Sequence, residues 1–198
     1  MNEKFYINDL FWTVQGEGAN SGRRALFVRM PYCNLRCSFC DTSFDSHTVK
    51  TDVEIIEEAN KAPKKDRFAV VTGGEPLMHR HTPKLVNLLK SLDFTVACET
   101  NGSFAPPCDF DWITCSPKAD AEYHIDEQLW GYVNEFKYVV FDGFDWSILD
   151  RHVGSQQRIY LSPEFSDMAG NVAAILAYIE KHPQWRLSLQ THKWIGVP

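Results

Sequence analysis

The 198-residue sequence has no hydrophobic run longer than a few residues, whereas a membrane-crossing helix needs about 20. Its start, Met1-Asn2-Glu3-Lys4, lacks the charged and apolar pattern of a secretory leader, so a cytoplasmic, reducing location is expected. It has no Lys/Arg block, the densest basic stretch being Lys64-Lys65-Asp66-Arg67, and the net charge is −6. Direct nucleic-acid binding driven by phosphate neutralisation is therefore not expected. Repeats and low-complexity segments are also missing. With 44% hydrophobic residues, the chain is long enough for one well-packed core and short for two, so residues 1–198 are expected to form a single domain.

The cysteines lack partners too. Cys33, Cys37 and Cys40 form a C-x3-C-x2-C run, with no fourth cysteine beside it and no second C-x-x-C pair elsewhere. Structural zinc wants four ligands, commonly two separated pairs, and the nearest histidine is His47. Three thiolates can instead hold three irons of a 4Fe–4S cluster. The fourth iron stays open for a small molecule carrying an amine and a carboxylate. Zinc remains the competing reading at this point. Further along, Gly73-Gly74-Glu75-Pro76 offers backbone that a ligand can approach closely and a carboxylate able to pair with an ammonium.

Strand and helix patterns alternate, which favours a parallel α/β fold. Strands are expected at 25–30, 68–72, 94–99, 112–115, 136–141, 157–161 and 185–190. Helices are expected at 52–62, capped by Thr51 or Asp52, at 83–92 with Thr82 as N-cap and Pro83 behind it, and around Val172–Ile179, ended by Pro183. Polar punctuation follows the strands, as in Glu99-Thr-Asn-Gly102, Ser116-Pro-Lys118, Ser162-Pro-Glu164 and Gln190-Thr-His-Lys193. In parallel α/β sheets and barrels the working groups sit at these carboxyl ends. A closed eight-fold barrel typically takes about 250 residues, so a partial, open (β/α) barrel with reduced helix content is expected.

The cysteine run and the Gly-Gly-Glu-Pro turn together resemble the signature of the radical S-adenosylmethionine (SAM) superfamily. Over essentially the whole chain, Phe11-Trp-Thr-Val-Gln-Gly-Glu-Gly18, Arg29, Asp41-Thr42, Thr72-Gly-Gly-Glu-Pro76, Glu99-Thr-Asn-Gly102, Ser116-Pro-Lys118 and Leu189-Gln-Thr-His-Lys193 resemble the 7-carboxy-7-deazaguanine synthase family of the queuosine and 7-deazapurine pathway, which serves tRNA modification. The resemblance implies conversion of 6-carboxy-5,6,7,8-tetrahydropterin to 7-carboxy-7-deazaguanine with loss of ammonia. It implies a 4Fe–4S cluster on Cys33, Cys37 and Cys40, SAM used catalytically, and Mg²⁺ on Thr42. SAM contacts fall on Gly73, Gly74, Glu75, Ser116, Pro117, Lys118, Ser162 and Pro163. Substrate contacts fall on Val14, Gln15, Gly16, Glu17, Arg29, Thr72, His192 and Pro198, the last through its α-carboxylate. An electron donor such as flavodoxin and a homodimer are implied as partners. One loop departs from the family pattern: Leu161-Ser162-Pro163 stands where a glutamine is expected before the proline, and serine reaches less far. Two alternatives compete. A glycyl-radical activating enzyme shares the cysteine and glycine motifs but not Gln-Gly-Glu-Gly or Gln-Thr-His-Lys. A zinc-stabilised binding module would be colourless.

Overall fold

The computed structural model describes residues 3–198, so Met1 and Asn2, at the start of the leader reading, lie outside the described residues. Chain order is β1 (Lys4–Ile7), β2 (Asp9–Val14), β3 (Arg24–Met30), β4 (Thr48–Thr51), α1 (Asp52–Ala59), β5 (Phe68–Gly73), α2 (Thr82–Ser91), β6 (Thr95–Thr100), β7 (Trp112–Cys115), β8 (Glu135–Val140), β9 (Arg158–Pro163), α3 (Met168–Lys181), β10 (Arg186–Leu187) and α4 (Thr191–Ile195). Eight strands form one sheet in the order β10-β9-β8-β7-β6-β5-β3-β2. Every neighbouring pair is parallel except β2 against β3. The edge strands β2 and β10 do not pair, so the barrel is partial and open. The connections β6–β7, β7–β8 and β8–β9 carry only 3-10 turns or loop, which accounts for the reduced helix content. None of the described helices is long and apolar enough to cross a membrane.

Local chemistry explains most elements. Thr51 and Glu54 form a reciprocal capping box at the start of α1, satisfying two otherwise orphaned N–H groups. Phe68–Val71 of β5 is buried on both faces, as expected of a central parallel strand. One side of the sheet packs Leu26, Val28, Ala69 and Val71 against Ile55 of α1 and Leu85 and Leu89 of α2. Farther along, Ile113, Phe136, Tyr138, Ile159 and Leu161 pack against Ile175 of α3 and Trp185.

Two expectations are corrected. His81, not Thr82, is the N-cap of α2; the Thr82 hydroxyl is buried and donates to Pro76 O at 2.7 Å, fastening the turn after Gly73-Gly74-Glu75. The last strand covers only Arg186–Leu187: Ser188 N still donates to Leu161 O at 2.9 Å while its hydroxyl accepts from Gly18 N, and beyond it Gln190 leaves the sheet to bond Glu17. Residues 191–195 then form a short helix. β1 pairs with β4 in a separate two-stranded sheet, which no alternation in the sequence announces.

His152 sits deep in the second core, with Tyr138 Oη 2.6 Å from its Nε2 and a buried Nδ1 that has no partner among the described residues. Burial, with Arg151 nearby, lowers its pKa to about 4. The folded state thus resists a proton that the unfolded chain accepts near 6.5. His152 imposes no penalty above that value and costs progressively more stability as pH falls toward 4, up to on the order of 3 kcal/mol. His152→Gln, which does not titrate, is expected to flatten this acid-side slope in urea denaturation at pH 7 and pH 5. An unchanged slope would refute the assignment.

Candidate active site

The carboxyl ends of β3 and β5 to β9 open into one cavity of about 500 Å³. All three motif cysteines line it, together with Val14, Gln15, Glu17, Arg29, Thr42, Thr72, Gly73, Gly74, Ser116, Lys118, Ser162, Pro163, His192 and Pro198. Residues from both ends of the sequence therefore meet over the sheet.

The cysteine loop is pinned at its base. Tyr32 takes a left-handed φ of 56°, and its N–H donates to Phe44 O at 2.7 Å. Gly74 N and Glu75 N donate to Met30 O and Tyr32 O, each at 2.9 Å. A Cβ on Gly74 would collide with the Tyr32 carbonyl, and one on Gly73, whose φ is 119°, with Met30. The glycine pair is thus demanded first by its packing against the start of the cysteine loop.

The donor set fits an iron–sulfur cluster. Leu35 N and Asn101 Nδ2 point at Cys33 Sγ at 3.4 and 3.6 Å, as donors do around cluster sulfurs. Burial, with Asp120 alongside and Lys118 opposing, pushes the Cys37 thiol up to about 11, and burial also raises Cys33. A bound cation inverts this and favours thiolate. Among the described residues no three His, Cys, Asp or Glu side chains converge as a single metal ion requires. A four-iron cluster, which takes one thiolate per iron, accepts the wider spacing.

Glu75 departs from its expected role. It is 0% exposed, and its carboxylate accepts from Leu77 N, Thr100 Oγ1 and Asn101 N at 2.9, 2.8 and 2.7 Å. Both oxygens are spent inside the protein, tying the end of β5 to the end of β6, so the carboxylate does not face the cavity. Burial raises its pKa to about 6. Pro117 is buried behind Ser116 and does not line the cavity. Gly16 does not line it either: its carbonyl accepts from Thr191 N and Oγ1 at 3.1 and 3.0 Å, and His192 occupies the space a side chain there would need.

The polar end is built around carboxylates. Gln15 Nε2 and Thr72 Oγ1 donate to Glu99 at 2.8 and 3.1 Å. Glu17 is ion-paired with Lys137 and accepts from Gln190 Nε2 at 2.9 Å. Burial works to raise Glu17, but Lys137 overrides it and the pKa is lowered. Arg29 has its Nε buried without a partner among the described residues, and its guanidinium carbon lies 5.2 Å from the Phe11 ring centroid. Phe11 stacks on Phe27 at 5.5 Å, and both line the cavity. Thr42 Oγ1 lies 3.4 Å from Asp41 Oδ1, and Asp41 is ion-paired with Lys193. The main-chain oxygen of Pro198 accepts from Thr13 Oγ1 at 2.8 Å. Sequence reasoning did not single out Lys137 or the side chain of Glu99 as site residues. Lys137 in Glu-Phe-Lys-Tyr carried no motif, and only its inward strand phase could have revealed it.

Comparison with known proteins agrees with this geometry. The radical SAM superfamily profile matches residues 27–110. The 7-carboxy-7-deazaguanine synthase of Bacteroides thetaiotaomicron is 39% identical over 191 residues, covering 96% of this chain and 97% of that protein. The synthase of Synechocystis is 38% identical over 199 residues, covering 96% and 92%. The crystal structure of QueE from Escherichia coli superposes with a TM-score of 0.79 at 26% identity, over 94% of this chain and 93% of that one. With relatives this similar over nearly their full lengths, and a site that unites the three cysteines with the Gln-Gly-Glu-Gly and Gln-Thr-His-Lys segments, the chain belongs to the 7-carboxy-7-deazaguanine synthase family of radical SAM enzymes.

Proposed function

We propose that this chain converts 6-carboxy-5,6,7,8-tetrahydropterin to 7-carboxy-7-deazaguanine and ammonia. One observation carries the proposal. A single cavity joins a thiol end to a polar end lined by Arg29, whose buried Nε has no partner among the described residues, and by the carboxylates Glu17 and Glu99, which neutral and cationic donors already hold. Substrate and product differ by one ammonia, so the conversion needs no net oxidant or reductant, in keeping with SAM as a reusable cofactor. When bound, the cluster and SAM supply an electron and a hydrogen-abstracting radical.

The chain's own residues bind, orient and exclude water. Arg29 offers a bidentate fork to the 6-carboxylate. Phe11 and Phe27 give an aromatic wall for the planar pyrimidine half of the pterin. Glu17 and Glu99 accept from the 2-amino group and ring N–H donors. His192, Val14 and Pro198 close the same end. Cys33, Cys37 and Cys40 would hold the cluster, and Gly73, Gly74, Ser116, Lys118, Ser162 and Pro163 the SAM. Mg²⁺ prefers oxygen, keeps waters and borrows substrate oxygens, so Thr42 suffices as its protein ligand. We further assign residues 1–198 to one radical SAM core acting in the cytoplasm as a homodimer. A flavodoxin-like protein serves as electron donor, and there is no direct contact with nucleic acid; the net charge of −6 supports the last point.

Anaerobic incubation with SAM, a reductant, Mg²⁺ and the carboxy-tetrahydropterin should yield the deazaguanine and ammonia. Cluster-loaded protein that cleaves SAM but forms neither product would refute the proposal. Arg29→Met should raise KM for the pterin by about 10- to 100-fold, the loss of a charge-assisted pair, with iron content unchanged.

A further inference from the structure

We propose that Lys137 is a positioning residue for the pterin, holding Glu17 in place as an ionised acceptor at the polar end of the cavity. The inference deepens the function proposed above and rests on it.

Glu17 is clamped from two elements. Lys137 on β8 pairs with its Oε2, and Gln190, just before α4, donates to its Oε1 at 2.9 Å. The side chains of Lys137 and Glu17 are only 12% and 13% exposed, so the pair is well shielded from water. Three carboxylates surround this ammonium, but they are held differently. Glu99 on β6 is satisfied by Gln15 and Thr72. Glu135 on β8 is satisfied by Ala19 N and Thr114 Oγ1 at 2.9 and 2.8 Å. Glu17 alone has a direct ion pair with Lys137. The other charged or titratable groups bearing on this neighbourhood are His192 on α4 and Lys118 after β7.

Removing the ammonium leaves Glu17 buried among like charges, and a carboxyl group in that setting takes up a proton. Once protonated, it presents a donor where the pterin's amino and ring N–H groups need an acceptor. Lys137 also fixes the rotamer, so the acceptor is in place before substrate arrives. A purely structural pair would tie the Gln15–Gly18 turn to β8 and nothing more. The two roles separate in their pH dependence.

The test is calorimetric titration of cluster-loaded, SAM-bound protein, without reductant, with 6-carboxy-5,6,7,8-tetrahydropterin from about pH 6 to about pH 9. Wild-type affinity should be nearly level with pH. Lys137→Met should bind about 10- to 100-fold more weakly at the acid end and recover as pH rises and Glu17 ionises. Lys137→Arg, which keeps the charge, should restore a nearly level profile. Turnover should show a raised KM with a smaller change in kcat. On a Glu17→Gln background, Lys137→Met should cost little further affinity, because it acts through Glu17. Wild-type affinity in Lys137→Met at every pH overturns the proposal. So does a pH-independent loss that Lys137→Arg fails to rescue, and so does loss of iron or fold in both variants, since each marks a structural role. A wild-type enzyme that does not bind the pterin refutes the proposed substrate first, a failure visible without any variant.

Discussion

Cys37→Ala is expected to lose its iron and, with it, all SAM cleavage, down to the background of protein without cluster. Each thiolate of a C-x3-C-x2-C loop holds a different iron, and no cysteine elsewhere can substitute. Cys98 and Cys115 are 0% exposed within strands, and burial raises the pKa of both thiols. Cys108 is half-buried and absent from the cavity. The same loss is expected for Cys33→Ala and Cys40→Ala, whereas Cys108→Ala should keep both cluster and activity. Iron and sulfide analysis, the brown visible absorbance and release of 5′-deoxyadenosine under anaerobic reducing conditions measure it. Four irons per chain and normal SAM cleavage in Cys37→Ala would remove the cluster assignment.

The strands were legible wherever both faces are buried, because a short apolar run closed by polar punctuation has few other readings. Phe68–Gly73, Trp112–Cys115 and Glu135–Val140 differ from expectation by a residue or so. The location of the site followed from them, since the punctuation after each strand is what lines the cavity. Harder to read was the division of labour within a motif. Gly73, Gly74 and Glu75 look alike as ligand contacts in sequence, yet Glu75 faces inward to Thr100 and Asn101, a choice made by the neighbouring strand 25 residues on. The C-terminal segment reads in sequence as a longer strand because Trp185–Gln190 alternates. Only the pull of Gln190 to Glu17 and of Thr191 to Gly16 turns it across the cavity mouth. Lys137 and Glu99 matter through partners 120 and 84 positions away, and no local pattern records such pairings.

Gly74→Ala should disrupt the cysteine loop itself, even with no SAM present. If Gly74 served only to let SAM approach, an added methyl would weaken SAM binding and leave cluster and fold intact. The structure says otherwise: the new Cβ would collide with the carbonyl oxygen and carbon of Tyr32 and press on Cys33 N. These are backbone atoms, not the movable end of a side chain. They are held by the bonds from Glu75 N to Tyr32 O and from Tyr32 N to Phe44 O. Relief requires moving either the loop that carries Cys33 or the end of β5, and β5 is locked between β3 and β6. Overpacking of this kind costs roughly 1–3 kcal/mol or more. Moving the loop also displaces Cys33 from Asn101, the donor to its sulfur. Gly74→Ala is therefore expected to lower the urea midpoint of the cluster-free protein and to retain well under half the iron of wild type after reconstitution. Gly131→Ala, where nothing lies within 4 Å, should change neither. Wild-type iron content and stability in Gly74→Ala, with only SAM binding impaired, would show that this glycine serves the cofactor and not the loop.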